Sequence, residues 1–122
     1  MRRLALAALA VAALSGCGGA NPDDKAVRQV VTDYLAAFAA GDAAKACALM
    51  LPEVQRSLGD CTATLKRAHD TLTADQRRET EVLKVDTVTS AGDNARARLF
   101  PGDSQVALRK ADGRWQIAGV PG

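Results

Sequence analysis

Between Val27 and Phe38 the apolar residues Val27, Val30, Val31, Tyr34, Leu35 and Phe38 recur at steps of three and four. That spacing draws one apolar stripe along a helix, so the segment must lie against something. Asn21, Pro22, Asp23 and Asp24 mark its start: a capping side chain, proline at the first helical position and two carboxylates toward the positive helix end. Gly41 closes it, and Asp42 restarts a shorter helix from Ala43 to Met50, stopped before Pro52. Residues 52–58 read as another short helical turn, closed by Gly59. A further helix runs from Cys61 to Leu72, with Leu65, Ala68 and Leu72 on its buried side. Thr73 and Gln76 then have the spacing of a capping box, which starts one or two more turns reaching about Glu79.

From Val82 onward the period changes to two. Ala95, Ala97 and Leu99 alternate with Arg96, Arg98 and Phe100; Val106 and Leu108 alternate with Ala107 and Arg109; Trp115 and Ile117 alternate with Gln116 and Ala118. Turn residues separate these runs at Gly92-Asp93, Pro101-Gly102 and Asp112-Gly113. The last suits a type I′ turn, which needs two positive φ angles. A two-residue loop there pairs Ala111 with Arg114, Leu108 with Ile117 and Val106 with Gly119. An even loop at Pro101-Gly102 pairs Ala97 with Val106 and Ala95 with Leu108. Val82, Val85 and Val88 recur every three residues, which predicts a bulge in the first strand. Helices first and strands after make an α+β plan with about four antiparallel strands.

Composition changes this picture little. The chain has 122 residues, enough for one small domain. Its 16 Lys+Arg exceed 14 Asp+Glu only through Arg2 and Arg3. From Cys17 onward the charges balance, so the basic excess of a nucleic-acid binder is missing.

Arg2 and Arg3 open a leader. Leu4 to Leu14 is an unbroken apolar run of 11 residues, about 16 Å as a helix against a hydrocarbon core of about 30 Å. That suits a cleaved signal peptide over residues 1–16 rather than a membrane span. Leu14-Ser15-Gly16-Cys17 resembles the lipobox of bacterial lipoproteins. The resemblance implies lipidation of Cys17, anchorage on the extracytoplasmic face of the cell membrane, and a short linker over 17–21. With Cys17 so used, Cys47 and Cys61 remain as a disulfide pair in an oxidising compartment. No cofactor or metal is expected: the thiols and the lone His69 lack ligand spacing, and no C-x-x-C is present.

Ala39-Ala40-Gly41-Asp42, Ala46-Cys47-Ala48-Leu49 and the closing Lys110-Ala111-Asp112-Gly113-Arg114-Trp115-Gln116-Ile117 resemble small lipoproteins of high-GC Gram-positive bacteria. Their domain is of the nuclear transport factor 2-like, cystatin-like type. The resemblance covers residues 22–120 and implies a curved sheet wrapped around the first helix as a half-open cone. The pairings above line that cone with Ala95, Ala97, Leu99, Val106, Leu108, Trp115 and Ile117, facing Tyr34 and Phe38. They predict a closed core or a shallow apolar cleft near Ala95, Ala97 and Trp115.

Catalytic groups are scarce. His69 reads as a solvated helix residue, with Asp70 pointing elsewhere. No serine sits in a Gly-x-Ser-x-Gly elbow, and no glycine-rich loop precedes a helix in a way that would cradle phosphate. The resemblance includes isomerases that use a helix tyrosine, but Tyr34 lies in the apolar stripe and a partner carboxylate is missing. Lys84, Arg96, Arg98 and Arg109 share the outer sheet face, which reads as a solvated surface, with a basic patch held near anionic lipid headgroups as the alternative. The expectation is therefore a membrane-anchored lipoprotein with a non-catalytic domain binding a small apolar ligand or an envelope protein. The alternatives are an enzyme of the SnoaL-like or ketosteroid-isomerase-like type, and an envelope spacer without a pocket.

Overall fold

The structure, a computed structural model, describes residues 22–120. The leader 1–16, Cys17 with its linker, and the Asn21 cap lie outside the described residues. Helices α1 (Pro22–Ala39), α2 (Ala43–Ala48), α3 (Pro52–Ser57), α4 (Cys61–Asp70) and α5 (Ala74–Val82) precede strands β1 (Lys84–Ala91), β2 (Asn94–Phe100), β3 (Gln105–Ala111) and β4 (Arg114–Gly119). The strands form one open antiparallel sheet in the order β1-β2-β3-β4. The chain is α+β. No described helix is long and apolar enough to cross a membrane.

Local chemistry sets the helix ends. Gly41 adopts φ +76°, its N–H bonding the Phe38 carbonyl while the Asp42 N–H bonds that of Ala37, which ends α1 in a Schellman turn. Asp42 caps α2 and Asp60 caps α4 through their carboxylates. Thr73 and Gln76 form the reciprocal capping box of α5. That box moves two boundaries away from the sequence reading. Thr73 must be extended to cap, so α4 ends at Asp70 rather than Leu72. The helix it starts continues to Val82, placing in α5 a valine the alternation had assigned to a strand. Val82 is 53% exposed there, and Leu83 makes the turn into β1.

Side-chain alternation decides which sheet face is covered. Ala95, Ala97 and Leu99 are buried while Asn94, Arg96, Arg98 and Phe100 are exposed. Ala97↔Val106, Ala95↔Leu108, Leu108↔Ile117 and Ala111↔Arg114 pair as the turns predict. Gly119 instead pairs with Ala107, not Val106, because Ala118 is an extra residue that shifts the last pairing. The β1 bulge falls between Val85 and Thr87, at Asp86. Arg28 of α1 reaches both carbonyls there, donating to Val85 O at 2.9 Å and Asp86 O at 3.3 Å.

The core lies between α1 and the covered face. Val27 and Val31 of α1 meet Ala97, Val106, Leu108 and Ile117 in one apolar cluster. Full burial of such side chains contributes about 1.5–3 kcal/mol each for the larger ones. The Cys47–Cys61 disulfide joins α2 to α4 with a Cα separation of 6.1 Å, inside the same cluster. The edge of β4 is partly covered: Leu51 N–H donates to Ile117 O at 2.9 Å, and Ile117 N–H donates to Leu49 O at 2.8 Å.

Candidate functional site

Tyr34 and Phe38 stand one turn apart on α1, rings nearly parallel with centroids 6.4 Å apart. Past the last alanine of β2, Leu99 faces them, with Val106 of β3 beside it and Val120 just beyond β4. Leu35 of α1, Leu65 and Ala68 of α4, Thr80 of α5 and Leu83 complete a cavity of about 290 Å³.

At the other end the space is closed. Asp23 bonds Trp115 and Lys110, and Asp24 accepts from Ser90 at 2.7 Å, which holds the first turn of α1 down on the sheet. Ala95, Ala97, Leu108, Trp115 and Ile117 are buried in the core and do not line the cavity. Of the two outcomes expected near Ala95, Ala97 and Trp115, a closed core or a shallow apolar cleft, the structure has the closed core. Alanines on β2 let α1 approach instead of leaving a void, and the opening lies at Leu99. Tyr34, Phe38, Leu99 and Val106 are the anticipated lining residues brought together there.

Leu35, Leu65, Ala68, Thr80, Leu83 and Val120 were missed as lining residues. The helical spacing of Leu65 and Ala68 signalled a shared face, yet Ala68 is exposed at the mouth rather than buried. Thr80 and Leu83 carried no such signal, because α5 was expected to end before them.

The lining has two side-chain polar groups, both hydroxyls. Thr80 donates its own to Arg77 O at 2.7 Å, inside α5. The Tyr34 phenol has no hydrogen-bond partner among the described residues, and no side-chain polar atom there is fully buried without one. Its oxygen is therefore not sealed in the core, and Tyr34 is one of the residues that line the cavity. Burial pushes its pKa up, which keeps it a neutral donor. No carboxylate, amine or imidazole lines this space.

His69 is placed differently from the sequence reading. Its side chain is only 16% exposed and meets the Phe38 ring edge-on at 5.9 Å, behind the cavity wall. Asp70 does not point away: its carboxylate lies 3.2 Å from Nδ1. That hydrogen bond, with Lys66 adding to it, holds the Asp70 carboxyl below its usual range. The pair serves the fold, since Gly41 covers the imidazole so closely that a Cβ would sit 3.2 Å from it.

The outer sheet face keeps Arg96 and Arg98 exposed, with Lys84 opposite Phe100. Arg109 is neutralised there by Glu53 at 2.6 Å. Among the described residues no His, Cys, Asp and Glu cluster suits a metal ion. In comparison with known proteins, no family model matches this chain and no curated protein is similar enough to count as a relative.

Proposed function

We propose that this protein is a lipoprotein held on the extracytoplasmic face of a bacterial cell membrane, whose domain binds a small apolar molecule without transforming it. The Leu14-Ser15-Gly16-Cys17 box supports the anchor. Helices leading into a four-stranded sheet, with α1 laid across it, support the nuclear transport factor 2-like reading.

The lining of the cavity carries the binding reading. Its walls are apolar apart from the Tyr34 phenol and the Thr80 hydroxyl, and acid–base catalysis needs titratable groups where a substrate proton would sit. The Tyr34 hydroxyl offers one directional contact to a ligand oxygen. About 290 Å³ lies at the low end of the ~300–1,000 Å³ typical of small-molecule sites, so the ligand is small.

Two measurements test the reading. Mass spectrometry of the membrane fraction should find acyl groups on Cys17; an unmodified thiol overturns the anchor. Decanol titrated into the full chain should shift the NMR signals of Tyr34 and Leu99. Ala68→Trp should abolish that shift by filling the mouth. A shift untouched by Ala68→Trp, or no shift at all, overturns the cavity as a binding site.

A further inference from the structure

The wall formed by Leu35, Thr80 and Leu83 has a second side. The same three residues line a groove of about 380 Å³ between α1, α5 and the start of β1. The groove differs from the cavity in chemistry, because Arg28 and Lys84 line it. Neither cation forms an ion pair among the described residues. Arg28 is held in place by its two bonds to the bulge carbonyls of β1, which leave three of the five guanidinium donors uncommitted. Glu81 is the one carboxylate of the lining, so the groove carries one net positive charge.

The wall is weakly held. α5 has no buried residue. Its side chains bond within the helix, as Arg78 does to Asp75 and Thr80 to Arg77, or back to the Asp70 carbonyl from Arg77 at 3.4 Å. None bonds α1 or the sheet. A third hollow, of about 830 Å³, lies beside the β2–β3 loop and is also lined by Thr80 and Leu83. α1 and α4, by contrast, are fastened by side-chain bonds to the sheet and by the disulfide. Elements with few buried contacts open at low free-energy cost, and lids are drawn from them.

We infer that cavity and groove are two halves of one site for an anionic amphiphile, a single apolar chain ending in a carboxylate or phosphate, with α5 as the movable wall between them. The inference rests on the binding reading above and gives the ligand a charged end. The chain fills the space beside Tyr34 and Phe38, and the head meets Arg28 and Lys84, where guanidinium and ammonium donors make charge-assisted bonds to anionic oxygens. The cavity volume of about 290 Å³, at the low end for small-molecule sites, favours a short chain.

Calorimetric titration of the 122-residue chain carrying Cys17→Ser, which cannot be lipidated, tests this with decanoate, decanol and decylammonium at neutral pH. Decanoate should bind about tenfold more tightly than decanol, the size of one charge-assisted hydrogen bond, and decylammonium more weakly than either. Lys84→Gln and Arg28→Gln should each bring decanoate toward decanol and leave decanol unchanged. Arg28 also braces the bulge, so Lys84→Gln, whose side chain has no partner in the fold, decides the matter if Arg28→Gln fails to fold. Hydrogen exchange of the α5 amides should slow when decanoate binds. Equal binding of decanoate and decanol overturns the charged half and leaves the apolar reading standing; absence of decanol binding removes both. Decylammonium binding as tightly as decanoate assigns the groove to Glu81 and overturns the inference. Unchanged exchange in α5 overturns its role as the wall.

Discussion

The Trp115 indole N–H donates to the Asp23 carboxylate across 3.1 Å, linking residues 92 positions apart. Lys110 reaches the same oxygen at 3.2 Å, its ammonium 5.8 Å from the centre of the indole ring. One carboxylate oxygen thus fastens the first turn of α1 to the β3–β4 hairpin. The Trp115 bond foremost, and Lys110 after it, hold Asp23 below its ordinary pKa of 3.8.

A pH dependence follows from that depressed value. The ionised form is favoured by folding, so the stability it contributes is present above pH 3.8 and is lost as the pH falls through the lower folded value. Glu53, through Arg109, and Asp70, through His69, act in the same direction. Thermal unfolding of the parent and Asp23→Asn should differ most above pH 3.8 and converge below it. A difference that grows toward acid contradicts the assignment.

Replacing Cys47 and Cys61 together by Ala should cost about 3 kcal/mol, since the bond closes a loop of 14 residue steps. Reversible denaturant unfolding measures it. The parent should lose as much when reduced; a reduced parent as stable as the oxidised one would contradict the disulfide's contribution.

Gly41→Ala should be penalised twice. The left-handed φ of +76° costs a residue with a Cβ about 1–2 kcal/mol, and that Cβ meets the His69 ring at 3.2 Å. Adding His69→Ala removes the second penalty and leaves the first. A double-mutant cycle should therefore show the two changes to be non-additive. Strict additivity would mean that the imidazole moves aside freely.

Ala97→Leu should destabilise by about 1–3 kcal/mol, because α1 lies directly over a residue with no exposed surface. Ala68→Leu, exposed on α4, should change stability by no more than about 0.5 kcal/mol. Equal tolerance at both positions would place the open space beneath α1 after all.

What was legible in the sequence was local. The stripe from Val27 to Phe38, the caps at Asp42 and Thr73, and the Asp112-Gly113 turn each depend on residues a few positions apart, and each is found. Pairing Cys47 with Cys61 needed only a count once Cys17 was set aside. The errors came where distant segments meet. Nothing near Ala118 announces the residue that shifts Gly119, and nothing around His69 announces that Phe38 and Gly41 enclose it. The opening of a cavity at Leu99 was the feature least announced. It depends on which end of α1 is fastened, and that is set by Asp23 and Trp115 across almost the whole described chain.

The covering of β4 by Leu49 and Leu51 has its own consequence. A strand with free backbone groups is a template on which a second copy of the chain can add its own strand. At Ile117 both groups are already taken, so no intruding strand can run past that point. β1, at the other margin of the sheet, is kinked at Asp86 and has two carbonyls occupied by Arg28. Neither margin offers a long flat run to zip along, so joining of copies edge to edge through their sheets is disfavoured.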